Sequence, residues 1–194
     1  MPLTIKPSSG SGSITLQATT GTTTNDTLTL PAKTGNIITS ADSGTVTQTM
    51  LGTNVAGNGP VFSAYATGTT SVSNNTNTKV ALAATDFDTA SCFNTSTSRF
   101  TPNIAGYYLF VGSVGWGAAV SYAPAKLYKN GSETKVGFST TSAVINGASI
   151  LSILYMNGST DYVELYTVQA TGSTQTVNSG GNVTFLNGSL IRSA

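Results

Sequence analysis

Histidine is absent from the 194-residue chain, and with it the commonest general base and the commonest zinc ligand. A single cysteine, Cys92, excludes an intrachain disulfide and a thiolate cluster, so the fold is not expected to need an oxidising compartment. Charge is scarce: Asp, Glu, Lys and Arg make up 8% of the residues, about a third of the usual share. Eight basic and seven acidic side chains leave a formal net charge of +1. That balance gives no steering toward nucleic acid or an anionic membrane. Glutamate occurs only twice and good helix formers are few, which argues against a long helix, a coiled coil or a helical bundle. The opening Met1-Pro-Leu-Thr-Ile-Lys has no apolar h-region, so no signal peptide is expected.

What fills the chain is Thr, Ser, Asn and Gly, which supply 94 of the 194 residues. The apolar share of 39% nevertheless argues against disorder. All 16 aromatic residues lie between Phe62 and Phe185, and residues 1–59 contain none. Gly57-Asn58-Gly59-Pro60 sits on that boundary as a linker, dividing an N-terminal segment, 1–59, from a C-terminal domain, 60–194. In the N-terminal segment, Ser13–Ala18 alternates Ile14, Leu16 and Ala18 onto one face, and Asp26–Leu30 does the same with Leu28 and Leu30. Gly35–Ile38 and Thr45–Gln48 are weaker strands. So few large apolar groups cannot close a core in one chain, which calls for identical neighbours or a docking surface. A flexible Thr/Ser/Gly linker is the alternative.

Beyond Pro60 the pattern predicts strands over Phe62–Ala66, Lys79–Ala83, Tyr107–Val114, Lys126–Lys129, Lys135–Ser139, Ser149–Met156, Tyr162–Val168 and Val183–Ile191. Asn130-Gly131, Asn146-Gly147 and Asn157-Gly158 read as hairpin turns. Phe100–Ala125 carries no charge, but its glycines and prolines interrupt it too often for a membrane span, and it reads as buried strands. No strand–helix alternation occurs. An antiparallel all-β sandwich or jelly roll is expected.

Asp88, Phe93, Phe100, Gly106, Tyr108 and Phe110 stand at fixed intervals, and their spacing resembles the signature of the C1q/TNF-like jelly-roll family. Leu127-Tyr-Lys-Asn-Gly131, Asp161-Tyr-Val-Glu-Leu165 and Phe185–Ile191 are similar to later strands of that family, so the resemblance covers about residues 61–193. Two positions depart from it: Leu82 stands where the family has a leading Phe, and Gly112 replaces an aromatic. The stretches Ile14–Gly21, Leu28–Gly35 and Thr47–Leu51 resemble segments that precede C1q-like heads in bacteriophage tail-fibre and virion surface proteins.

Candidate chemistry is thin. Asp86 and Asp88 flank Phe87 and would share a face of a strand, a weak calcium candidate; a turn carboxylate bonding backbone amides is the other role for Asp88. Asp161 and Glu164 would fall on opposite faces and make no catalytic pair. GxSxG, P-loop and HExxH motifs are absent, so neither an enzyme nor a cofactor is expected. Tyr122, Lys126, Tyr128 and Lys129, with Lys135, form the one basic and aromatic cluster, a candidate surface for a host glycan or protein.

The resemblance implies a non-enzymatic virion structural protein on the particle surface. It would be a homotrimer whose head contacts the host and whose residues 1–59 bind other virion proteins, with no nucleic-acid partner and no membrane insertion. A capsid decoration or head-fibre protein is the alternative, and a secreted C1q-like ligand-binding module is a third.

Overall fold

A computed structural model of the chain describes residues 3–5, 14–16, 57–120, 122–141 and 146–194. Every regular element among them is a β-strand, as a chain rich in β-branched residues and poor in helix formers requires. In the N-terminal unit, β1 (Leu3–Ile5) pairs antiparallel with β2 (Ile14–Leu16), setting Leu3 opposite Leu16 and Ile5 opposite Ile14. The strand expected over Ser13–Ala18 contains β2. Those expected over Asp26–Leu30, Gly35–Ile38 and Thr45–Gln48 lie outside the described residues.

The larger unit begins with β3 (Val61–Tyr65), β4 (Thr70–Val72), β5 (Thr78–Lys79), β6 (Ala84–Asp88), β7 (Phe93–Asn94), β8 (Arg99–Phe100) and β9 (Ala105–Gly115). It continues with β10 (Ala125–Lys129), β11 (Ser132–Val136), β12 (Phe138–Thr141), β13 (Asn146–Asn157), β14 (Val163–Thr167), β15 (Gln175–Val177) and β16 (Phe185–Ser193). One sheet runs β11-β10-β14-β8-β7, with β5 also on β14; the other runs β12-β13-β9-β16-β3-β6. The pairings are antiparallel throughout both sheets. A short β15-β4 pair stands apart from them.

The core between the sheets is built on aromatic rings. Phe100 of β8 stacks on Phe62 of β3 at 4.3 Å between centroids, and Phe93 stacks on Phe62 at 5.2 Å. Tyr108 and Phe110, alternate residues of β9, meet Phe100 edge-on at 5.6 and 5.8 Å. Five of the six signature residues therefore serve packing. Four are these rings, and Gly106 lies where an added Cβ would collide with the Arg192 carbonyl and come within 2.8 Å of Leu190. The sixth, Asp88, accepts hydrogen bonds from the amides of Cys92 (3.1 Å) and Phe93 (2.7 Å), closing the turn that carries Ser91 at φ 52°. Burial pushes the Tyr108 phenol well above its ordinary range, and its hydroxyl donates to the Ile104 carbonyl at 2.8 Å.

Three local expectations need correction. The strand over Lys79–Ala83 stops at Lys79, because residues beyond it bond to several neighbours instead of one ladder. The Val80 amide donates to Leu165, whereas Leu82 pairs through its amide and carbonyl with the Ser98 hydroxyl. Lys135–Ser139 is not one strand: Gly137 separates β11 in one sheet from β12 in the other. A Cβ there would run into the Ser149 carbonyl, so only glycine lets the chain cross so closely. Of the three Asn-Gly pairs, one makes a hairpin. Asn130 and Gly131 take φ 54° and 79° between β10 and β11, the positive values a type I′ turn demands. Asn146-Gly147 lies inside β13, opposite Thr141 and Thr140. Asn157-Gly158 turns the chain from one sheet into the other, its side-chain oxygen accepting from the amides of Ser159, Thr160 and Asp161.

Asp161 ties these turns together. Its carboxylate accepts from Asn130 Nδ2 at 2.7 Å and the Asn157 amide at 3.0 Å, and pairs with Lys129 Nζ at 2.8 Å. Burial alone would raise its pKa, but Lys129 and the two asparagine donors outweigh burial and hold it below the usual carboxylate value. A depressed folded-state pKa gives stability that is present above the unfolded value and lost as pH falls through the folded one. Asp161→Asn is expected to cost about 1–3 kcal/mol at neutral pH. It should also flatten the loss of stability on acidification from pH 5 to 2, measured by urea unfolding across that window.

Gly188 gives a second test. A Cβ at this position would lie 2.5 Å from Phe62 Cε1 and 3.1 Å from Phe110, so the rings rest on bare backbone. Gly188→Ala should destabilise by about 1–3 kcal/mol through overpacking, read as a lower urea midpoint.

Candidate interaction surfaces

The two sheets present outer faces of opposite character. On the β13-β9-β16-β3-β6 face, cross-strand register sets side chains in rows. One row reads Leu151, Val111, Asn187, Ser63, Phe87; the next reads Ile153, Leu109, Ser189, Val61; Tyr155 stands beside Tyr107. Five of the eight exposed large hydrophobic residues among those described lie here: Phe87, Tyr107, Leu151, Ile153 and Tyr155, at 44–68% exposure. Half-exposed side chains of this size leave roughly 100 Å² each, or roughly 500 Å² for the five, before Leu109, Val111 and Val61 are added. A patch of this extent is at the upper end of what monomers expose, and such patches often mark an interaction site. These central rows carry no charge, and Asp86 stands at the β6 edge.

A depression of about 190 Å³ lies in this face, lined by Val61, Phe87, Leu109, Val111 and Asn187. Asn187 Oδ1 is buried and has no hydrogen-bond partner among the described residues, a distinction it shares with Trp116 Nε1. Leaving such an oxygen unpaired costs about 1–3 kcal/mol.

The β10-β14 face is polar. Tyr128 stacks on Tyr166 at 3.9 Å between centroids. Glu164, nearly fully buried, takes Lys79 Nζ at 3.2 Å and Arg99 Nη2 at 3.0 Å on one oxygen. Arg99 also lies 3.6 Å above the Tyr162 ring. Lys126 is buried, its ammonium held by Glu133 at 2.7 Å and Asn77 at 2.9 Å. Burial and the nearby Glu133 carboxylate push the Tyr128 phenol up.

The expected surface-binding residues therefore do not form one exposed patch. Lys126 is an internal ion-pair partner, Lys129 is spent on Asp161 and the Tyr155 carbonyl, and Tyr128 is stacked. Of the cluster, Tyr122, 61% exposed in a left-handed conformation at φ 47°, and Lys135 of β11 stand out in solvent. The shared face expected of Asp86 and Asp88 is also corrected. A register slip in β6 between its Ser63 and Ala64 partners separates them: Asp86 accepts from the Ser63 hydroxyl at 2.8 Å, whereas Asp88 turns to the backbone amides. No group of three His, Cys, Asp or Glu side chains converges among the described residues. Nor is any helix there long and apolar enough to cross a membrane.

The apolar face was not read from the sequence, although a signal for it exists. Ile150-Leu-Ser-Ile-Leu-Tyr-Met156 is apolar at both parities, so the strand has apolar side chains on both its faces.

No protein-family model matches the chain, and no curated protein does. Solved structures do resemble it. Murine APRIL aligns with a TM-score of 0.55 and 13% identity, over 68% of this chain and 98% of that one. The PRD1 vertex protein P5 aligns at 0.52 and 14%, over 69% and 97%. The globular domain of zebrafish complement 1qA reaches 0.49 and 18%, over 70% and 99%. At these identities the likeness concerns architecture, and the larger unit has the C1q/TNF-like jelly-roll fold.

Proposed function

We propose that this chain is a non-enzymatic surface protein of a bacteriophage virion, a homotrimer whose jelly-roll head, residues 60–194, faces outward and whose residues 1–59 attach it to the particle. The observation that carries the assembly is the exposed, charge-poor apolar face of the β13-β9-β16 sheet. Its roughly 500 Å² and the flanking residues approach the roughly 800 Å² per partner of a stable interface. A second copy of the chain is a fitting cover, since its matching face has the same need. The number three follows from the C1q/TNF-like resemblance. The sharing of this fold with the vertex protein of phage PRD1 supports a place on a virion, and favours the capsid decoration reading over a tail fibre. Host contact would fall to exposed features of the head such as Tyr122.

Light scattering on the full chain should give three times 19.7 kDa, and a monomer at micromolar concentration would overturn the trimer. Leu151→Asp with Ile153→Asp should yield folded monomers, because buried unpaired carboxylates at the contact are costly. Gold-labelled antibody on intact particles places the protein at tail or shell, and no label on any particle would end the virion reading. A folded 60–194 fragment should remain trimeric yet fail to enter virions. If a large excess of it leaves adsorption of wild-type particles unchanged, the head is not the adhesin.

A further inference from the structure

Two cations share one carboxylate on the polar face. Glu164 Oε1 takes Lys79 Nζ at 3.2 Å and Arg99 through both Nε, at 3.2 Å, and Nη2, at 3.0 Å. The neighbouring pairs, Lys126 with Glu133 and Lys129 with Asp161, each cancel, so the Glu164 triad keeps one uncompensated positive charge. Both of its cationic side chains are 36% exposed, although the carboxylate between them is buried. Donors remain as well. A guanidinium has five N–H groups and an ammonium three. Arg99 gives two to Glu164, and Lys79 gives one to Glu164 and one to the Thr97 carbonyl at 2.9 Å. The rest meet no acceptor among the described residues. The Tyr162 ring, 3.6 Å from Arg99 Cζ, fixes the plane of the guanidinium, so little freedom is lost when its fork takes a ligand.

Aromatic surface lies beside this charge. Glu164 and Tyr166 are alternate residues of β14 and share its outer face. Register sets Tyr128 next to Glu164, and Lys79 next to Tyr166. Tyr128 and Tyr166 are partly exposed. We propose that this face binds an acidic saccharide, the carboxylate of a uronic acid meeting Arg99 and Lys79 while the sugar ring lies against Tyr128 and Tyr166. The guanidinium fork matches a carboxylate, and the electron-rich ring surface takes the C–H groups of a pyranose. The sheet lies opposite the apolar one, so it stays open when the apolar face is covered. This deepens the reading above, in which the head faces outward, by naming the class of molecule it would meet there.

Isothermal titration of the full-length protein with trigalacturonate tests this. Saturable binding is expected, weakened about tenfold by Arg99→Gln and less by Arg99→Lys, which keeps the charge without the fork. Lys79→Gln should weaken it likewise while leaving Arg99 on Glu164, and so decides the matter should Arg99→Gln fail to fold by circular dichroism. Raising the salt from about 0.05 to 0.5 M should also weaken binding, and neutral maltotriose should not bind. No saturable binding at about 10 mM ligand, or unchanged binding in the folded variants, overturns the site. Equal binding of maltotriose overturns the choice of an acidic ligand. Equal binding of a glycerol phosphate oligomer overturns the saccharide and leaves a simple anion site. If trigalacturonate binds as expected but labelled antibody finds the protein on no particle, the site stands and the virion reading falls.

Discussion

The stacking of Phe100 on Phe62, one ring from each sheet, is the contact on which the larger unit closes. Phe93, Tyr108 and Phe110 gather around that pair, and the β16 backbone comes close because Gly188 has no side chain to hold the rings away. The outer face follows from this inner one. Strand side chains alternate, so fixing Tyr108 and Phe110 inward forces Tyr107, Leu109 and Val111 outward. The register with β13 then sets Tyr155, Ile153 and Leu151 beside them. A core chosen for ring packing thereby determines where every outward residue of the sheet stands.

Much of this was legible in the sequence, and the limits are instructive. The six signature positions act through spacing within 23 residues, Asp88 to Phe110, a range over which alternation and turn chemistry dominate. The structure finds Tyr107–Val114, Lys126–Lys129 and Ser149–Met156 inside β9, β10 and β13 for the same reason. Errors arose where a long-range partner overrode a local preference. Asn146-Gly147 has the makings of a turn, yet pairing on both sides, with β12 and β9, holds it in a strand. Lys126 belongs to a basic run by sequence, but Glu133 across the hairpin and Asn77, 49 residues distant, draw its ammonium inside. Asp86 and Asp88 were expected on one face because nothing local announces the register slip between them. The cluster of Glu164 with Lys79 and Arg99 spans separations of 85 and 65 residues, beyond any reading by periodicity.

The few charges are distributed unevenly between the two sheets. Among the described residues, Lys79, Arg99, Lys126, Glu133 and Glu164 are joined in ion pairs on or beside the β10-β14 sheet, and Lys129 with Asp161 closes its turn end. A chain with fifteen formally charged side chains gains more from such placement than from an even scatter. Pairs of this kind add little stability where solvent reaches them, but they keep a sheet face hydrated and so keep it from associating. The opposite sheet lacks that protection in its central rows, which are apolar except for Ser63, Asn187 and Ser189. Surface left apolar without function is a liability for aggregation. A covered interface removes the liability, and the polar face is then the one turned outward.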